Sequence, residues 1–142
     1  MARTRDPSGG KIVFGSFDDL KSLNLDIFRS QVAFISANPR IIRGSIIENI
    51  LLGNQKATRG QLRTALKVAN ADFIDKIPQD ALVGFENCGY ELTLSQKHRI
   101  AMVRALICEP KLIIIEDVTS KLEPSDAAQY AKAVKGILRY AK

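Results

Sequence analysis

Hydrophobic residues along the chain form short apolar runs separated by longer stretches in which they recur at helical spacing. Two runs have the length of buried strands, Val32–Ile35 before Pro39 and Leu112–Ile115 after Pro110. A shorter strand candidate is Lys11–Phe14, which follows a turn sequence. The uninterrupted apolar character at 112–115 is typical of a parallel strand covered on both faces.

Helical spacing predicts three helices between the two main strands. The first covers about 46–51 and is ended by Gly53. The other two begin at capping boxes of the form T-x-x-Q, in which both side chains satisfy free backbone N–H groups. Thr58 begins the second helix, and apolar spacing carries it to Pro78. Thr93 begins the third, whose apolar face holds Ile100, Val103 and Ile107.

A last helix follows the second strand, because Pro124 suits a first helical turn. Its predicted buried stripe consists of Ala127, Ala131, Val134, Leu138 and Ala141. Strands separated by helices predict an α/β fold, with a long helical insert between the two main strands.

Composition predicts one globular domain. The chain has 142 residues, of which 46% are hydrophobic and 25% charged, and the scarcity of aromatic residues predicts an aliphatic core. No apolar run approaches the roughly 18 residues that a membrane span needs. The basic N-terminal residues lack the apolar stretch that would follow them in a signal peptide.

Charge and cysteine content narrow the function classes further. The net charge of +6 raises nucleic-acid binding as an alternative, but the basic residues are scattered and no aromatic residues interleave with them. We therefore expect no nucleic-acid partner. Cys88 and Cys108 have no neighbours at metal-ligand spacing, so reduced thiols in a cytosolic setting are expected.

Four stretches, in order, resemble motifs of the ATPase domain of exporter-type ABC transporters. Residues 29–39 resemble the strand entering the Q-loop, and 44–53 resemble G-T-I-x-E-N-I-x-x-G. Residues 92–106 (LTLSQKHRIAMVRAL) resemble the signature LSGGQ-x-Q-R-x-A-x-A-R-A-L, and 110–123 (PKLIIIEDVTSKLE) resemble the Walker B strand and D-loop. One such match would be weak, whereas four in order over 95 residues are specific.

The resemblance implies a partial P-loop NTPase (RecA-like) core with an inserted ABC-type helical subdomain. Residues of about 1–39 and 108–142 would form the core subdomain, and 40–107 the helical subdomain with the signature helix. Family members carry the Walker A loop, G-x-x-x-x-G-K-[ST], upstream of a segment like 6–12, and a switch histidine after the D-loop helix. We expect both to be absent from this chain, and we expect His98, at a glutamine position of the signature helix, to be a solvated residue.

The resemblance also implies nucleotide-binding positions. Ala37 stands where the Q-loop glutamine would report on the metal and the attacking water, which alanine cannot do. Thr93 and Gln96 keep the polar groups of the signature, whereas Leu94 and Ser95 replace its two glycines and add side chains where backbone would approach the γ-phosphate. The capping box accounts for Thr93 and Gln96 without any nucleotide.

The Walker B-like pair is reversed relative to the family. Glu116 occupies the position of the Asp that orients Mg²⁺ through water, and Asp117 that of the Glu that polarises the attacking water. A misplacement of about 1 Å costs roughly 10²-fold in rate, so an impaired site is expected. The alternative is a pair of solvated carboxylates at a strand end. Glu123 stands at the D-loop Asp position.

Two functions remain open at the level of sequence. The first is a fragment of an ABC-transporter ATP-binding domain, with ATP and Mg²⁺ as cofactors and an impaired site. The second is a non-hydrolysing structural or regulatory partner of a competent domain. Either implies a transmembrane domain bound through the helical subdomain, a second nucleotide-binding domain, and a place on the cytoplasmic side of a membrane, peripheral or within a transporter.

Overall fold

A computed structural model describes residues 7–13, 19–78, 80–85 and 89–140 of the chain. Helices alternate with short strands, which is consistent with an α/β fold. The elements, in chain order, are α1 (Leu25–Ser30), β1 (Val32–Ile35), β2 (Gly44–Ser45), α2 (Ile46–Leu51), α3 (Arg59–Val68), β3 (Leu82–Val83), α4 (Leu94–Leu106), β4 (Leu112–Ile115) and α5 (Pro124–Tyr140). Single 3-10 turns lie at Leu20–Ser22, Asp72–Lys76 and Thr119–Lys121.

The two predicted main strands are confirmed and lie side by side. β1 pairs with β4 in parallel, with Val32 opposite Leu112 and Ile35 opposite Ile115. Parallel pairing brings the carboxyl ends of both strands to the same edge, so the residues that follow them are neighbours. A second pair, β2 with β3, is antiparallel.

Helix α4 forms the centre of the core. Nine of its thirteen residues are buried, and it contacts α2, α3, α5 and β1. A helix that is buried on all sides belongs to a protein interior rather than to its surface. The predicted apolar face is confirmed, because Ile100, Val103 and Ile107 are at most 1% exposed.

Capping boxes fix where three of the helices begin. Both predicted boxes are present, at Thr58 for α3 and at Thr93 for α4. A third, not foreseen from the sequence, joins Ser45 to Glu48 at the start of α2. The Glu48 carboxylate accepts from the Ser45 N–H at 2.7 Å, and these hydrogen bonds hold the pKa of Glu48 below its usual value.

The predicted continuation of α3 to Pro78 is wrong. The helix ends at Val68, and Asn70 adopts a φ of 49°, in the left-handed region that stops an α-helix. Its carbonyl accepts from Nη1 of the buried Arg99 at 2.8 Å, which holds this bend against α4. The apolar residues after the bend lie in the separate 3-10 turn at Asp72–Lys76.

The predicted buried stripe of α5 is also wrong, because a different face of the helix is buried. The buried residues are Tyr130, Ala133 and Ile137, whereas Leu138 is 67% exposed. Of the other predicted members, Ala127 and Val134 are half-buried, Ala131 is exposed, and Ala141 lies outside the described residues. Because Tyr and Ile bury more apolar area than Ala, the helix turns these two inward.

The predicted strand at Lys11–Phe14 is wrong for its described residues. Residues 11–13 are not in a strand, and Phe14 lies outside the described residues. The Ile12 carbonyl accepts from the Leu20 N–H at 2.7 Å, so this segment packs against a turn instead of a sheet. Helix α1 was not foreseen; it begins at Leu25, and the side chain of Asn24 caps it by accepting from two backbone N–H groups.

Candidate functional site

The candidate site lies where β1 and β4 end, beside the signature-like helix α4. Glu116 and Asp117 follow β4 directly, and Ala37 follows β1 after one residue. This edge, at the carboxyl ends of parallel strands, is where open α/β sheets bind their ligands.

Glu116 contacts the Q-loop-like position directly. Its Oε2 accepts a hydrogen bond from the Ala37 N–H at 2.6 Å, and its own N–H donates to the Ile35 carbonyl at 2.9 Å. A short bond from a backbone N–H to a carboxylate is charge-assisted and stronger than a neutral one. Glu116 therefore ties the loop after β1 to the end of β4, over 79 residues of sequence.

His98 holds the same residue from the other side. Its Nε2 lies 3.0 Å from the Ala37 carbonyl oxygen, which can only accept, so Nε2 carries the proton. The ring is fully buried and packs edge-to-face against Tyr130, with centroids 5.5 Å apart. The prediction of a solvated His98 is wrong, because this face of α4 points at the loop after β1 and at α5.

Asp117 is engaged with its own chain as well. Its Oδ1 accepts from the Thr119 N–H and its Oδ2 from the Thr119 hydroxyl, both at 3.0 Å. These hydrogen bonds hold the pKa of Asp117 below its usual value. Burial, and secondarily the Asp117 charge, raise the pKa of Tyr130. Both Walker B-like carboxylates are exposed, as the solvated alternative expects, yet each accepts hydrogen bonds.

The signature-like residues cap the N-terminus of α4 and tie it to α5. Thr93 Oγ1 accepts from the Gln96 N–H at 3.2 Å, and Gln96 Oε1 accepts from the Thr93 N–H at 2.9 Å. Ser95 is fully buried and its hydroxyl donates to the Asp126 carbonyl at 3.2 Å, which ties α4 to α5. Leu94 is half-buried. This helix N-terminus is thus capped by its own residues.

The described contacts bring together only part of the predicted site. Ala37 and Glu116 touch, and His98, which the sequence did not suggest as a site residue, joins them. Glu123 stands apart: it is exposed, and its carbonyl accepts from the Ala127 N–H at 2.8 Å at the start of α5. The burial of His98 could not be recognised from the sequence, because its neighbours Lys97 and Arg99 are charged.

The described side chains form no cage that could hold Mg²⁺ by protein ligands alone. Within the described ranges, no group of three or more His, Cys, Asp or Glu side chains could hold a metal ion. Mg²⁺ prefers near-octahedral oxygen ligands, and the hydrogen bonds from Ala37 and Thr119 use part of the acceptor capacity of the two exposed carboxylates. The Mg²⁺ role of Glu116 stays a prediction.

Curated proteins similar to this chain include ABC transporters of the B family and a P-glycoprotein. ABC transporter B family member 13 of Arabidopsis thaliana is 34% identical over 97% of the chain, which covers 11% of that protein. ABC transporter B family member 2 of Dictyostelium discoideum is 32% identical over 97% of the chain and 10% of its own length. P-glycoprotein 14 of Caenorhabditis elegans is 33% identical over 87% of the chain and 9% of its own length.

These similarities support an ABC transporter-related domain. The chain spans only about a tenth of the length of these relatives. No protein-family model matches the chain. In the part of the chain that the structure describes, no helix has the length and apolar character to cross a membrane.

We expect the buried imidazole to make stability depend on pH. Burial lowers the pKa of His98 below its ordinary value of 6.5, although the hydrogen bond to Ala37 partly opposes this. Because the unfolded chain then binds the proton more readily, this stability is present above pH 6.5 and is lost as the pH falls below it. Urea unfolding between about pH 8 and pH 5, above the range in which carboxylates titrate, measures the loss.

The His98→Gln variant is the control for this pH dependence. Glutamine can still donate to the Ala37 carbonyl but does not titrate. The urea midpoint of the variant should therefore stay constant over the same pH range. An equal loss of stability in both proteins would assign the pH dependence to other groups.

Proposed function

We propose that the chain is part of an ABC-transporter ATP-binding domain whose own site does not hydrolyse ATP. In this proposal, about 1–39 and 108–142 belong to a partial P-loop NTPase core and 40–107 to the helical subdomain. The observation that carries it is the use of both Walker B-like carboxylates as internal hydrogen-bond acceptors. ATP and Mg²⁺ are the cofactors that the resemblance implies for the family.

The individual groups support an impaired site. In an active site the residue at Glu116 would orient Mg²⁺ and that at Asp117 would polarise water, yet here they fasten Ala37 and Thr119. Ala37 offers only backbone groups, and both are engaged. Leu94 and Ser95 place side chains where the family has glycine, and that of Ser95 is buried against α5.

The same contacts suit a mechanical partner. Glu116, directly after β4, and His98 on α4 hold Ala37 from two sides, so the loop after β1 should move with both elements. A domain of this kind would pair with a second, competent nucleotide-binding domain and pass its movements to a transmembrane domain. Its place would be the cytoplasmic side of a membrane, as a peripheral domain or as part of a transporter.

An exposed apolar surface on the predicted helical subdomain supports docking to a transmembrane domain. Its side chains are 40–49% exposed: Ile42, Ile47, Leu52 and Leu82. Ile47 also lines an open groove of about 440 Å³ together with Ile74 and Pro78. Ile46, by contrast, is buried and belongs to the core.

Replacing Ile42 with Asp distinguishes whether its side chain serves docking to the transmembrane domain or packing within the chain. The Ile42 backbone is held by Asn49, whose Oδ1 accepts its N–H at 2.8 Å, while the side chain lies at the surface. We expect Ile42→Asp to change the free energy of unfolding by only about 0.5 kcal/mol or less. Co-purification with the transmembrane domain should be lost.

Ile46→Asp is the matched control, since it buries a charge and should unfold the chain. Intact co-purification of the Ile42→Asp variant would remove Ile42 from the docking surface.

Titration calorimetry with Mg-ATP, combined with a phosphate-release assay, tests the proposal on this chain. We expect no binding tighter than about millimolar and no turnover, because both Walker B-like carboxylates accept hydrogen bonds from their own chain. Micromolar binding with steady phosphate release would favour the other candidate, an active ATPase.

A further inference from the structure

Helix α5 carries an apolar stripe that the described residues leave largely uncovered. This α5 stripe is the one that the sequence predicted to be buried, and its described members follow at spacings of four, three and four residues: Ala127, Ala131, Val134 and Leu138. The core takes the adjacent face of the helix instead, and Leu138 is 67% exposed. Alternating spacings of four and three residues are those of the seam along which two helices pack in a coiled coil.

Basic side chains run along one flank of the α5 stripe. At 3.6 residues per turn, Lys135 lies directly beside the stripe, and Lys132 and Arg139 follow on the same side. All three are exposed, and Asp126 in the first turn is the only acidic residue of α5. A favourable interaction with the helix dipole accounts for a cation in the last turn, such as Arg139, but it does not extend to Lys132. The flank therefore has a positive charge that the helix itself does not require.

The size of the exposed side chains indicates which kind of partner fits. Ala127 and Ala131 are small, so a second helix can approach α5 closely there, and Leu138 offers one large apolar contact. A lipid surface fits less well, because amphipathic helices enter it through several large side chains such as Trp, Phe and Leu. A second copy of this chain also fits less well, because its own basic flank would meet this one and each copy has a net charge of +6.

We propose that α5 is a docking site for an amphipathic helix of a partner protein, with leucines along its seam and Glu or Asp along one edge. Its leucines would pack on the α5 stripe, and its carboxylates would meet Lys132, Lys135 and Arg139. The acidic edge must lie on this side, because Tyr130 and Ile137 on the other side of the stripe are buried in the core. This proposal does not depend on whether the chain hydrolyses ATP.

Fluorescence anisotropy with a labelled helical peptide, three repeats of Leu-Glu-Glu-Leu-Glu-Ala-Ala, tests the proposal. We expect saturable binding that is lost when the leucines are replaced by Gln, which keeps the charge but removes the apolar seam. Replacing the Glu residues with Lys should also abolish binding, because it keeps the seam but reverses the charge. Equal binding of the parent and the Gln peptide would reduce the interaction to charge alone and overturn helix docking.

Two pairs of protein variants locate the site. Leu138→Glu should weaken binding at least about tenfold, because it removes the large apolar contact. Ile27→Glu makes a similar change on α1, where Ile27 is 61% exposed, and should change the affinity less than about twofold. Lys135→Glu should weaken binding about fivefold, whereas Lys56→Glu, in the exposed turn before α3, should leave it within about twofold.

Both apolar substitutions lie at the surface, so circular dichroism should show the same Tm for these variants as for the parent chain. If the members of each pair weaken binding equally, the peptide does not dock on α5 and the proposal is refuted.

Two further results would also refute the proposal. Binding of the chain to phosphatidylserine vesicles that Leu138→Glu abolishes, without binding of the helical peptide, would make a lipid surface the partner of α5. A stable dimer of the free chain in sedimentation, dissociated by Leu138→Glu, would make a second copy the occupant of the stripe.

Discussion

Replacing His98 with Ala should lower the free energy of unfolding by about 3 kcal/mol, which corresponds to a fall of about 10 °C in Tm for a domain of this size. The side chain is fully buried, so alanine leaves a cavity against Tyr130. It also leaves the Ala37 carbonyl without its partner from α4. Thermal and urea unfolding followed by circular dichroism measure both quantities.

The His98→Gln variant distinguishes the hydrogen bond from the cavity. Glutamine is the residue that the family signature carries at this position, and it can donate to the Ala37 carbonyl. We expect it to recover at least half of the loss seen with alanine. If alanine itself costs less than about 1 kcal/mol, the usual range for a surface substitution, His98 does not clamp the loop after β1.

The second large effect concerns Gly136, where α5 crosses the end of α3. A Cβ added to Gly136 would overlap the carbonyl oxygen of Val68, and that oxygen belongs to backbone that cannot rotate away. Alanine normally stabilises a helix by about 1 kcal/mol relative to glycine. Here the overlap should reverse the sign, and Gly136→Ala should destabilise the chain by about 2 kcal/mol net.

Gly60→Ala is the matched control for this prediction. Gly60 lies in α3, is exposed, and an added Cβ would meet only the Thr58 Oγ1 at 3.9 Å. This substitution should therefore stabilise the chain by about 0.5 kcal/mol. If both substitutions stabilise, α5 does not approach α3 as closely as the structure has it.

Local signals in the sequence predicted the local parts of the fold. The T-x-x-Q boxes at Thr58 and Thr93 were recognisable because a capping box is complete within four residues. The apolar runs of β1 and β4 were recognisable for the same reason. The early end of α3 was not, because Pro78 is a visible stop signal and the left-handed Asn70 is not.

The site depended on contacts that no local pattern contains. Glu116 and Ala37 are 79 residues apart, and His98 and Ala37 are 61 apart. Next to Lys97 and Arg99, His98 resembles a residue of a solvated helix face, and only the position of α4 between β1 and α5 buries it. Resemblance therefore suggested the candidate positions, whereas the structure shows which hydrogen bonds their carboxylates accept.

In the proposed function, Glu116 and Asp117 fasten Ala37 and Thr119 instead of binding Mg²⁺. Amide NMR of the chain during a Mg²⁺ titration to about 10 mM, with and without ATP, tests it most directly. The Ala37 and Thr119 amides report on the two carboxylates, and Glu116→Gln calibrates the Ala37 signal by weakening its bond. We predict that Mg²⁺ moves neither signal. Saturable shifts of both signals, with the Ala37 shift abolished in the Glu116→Gln variant, would contradict the proposal.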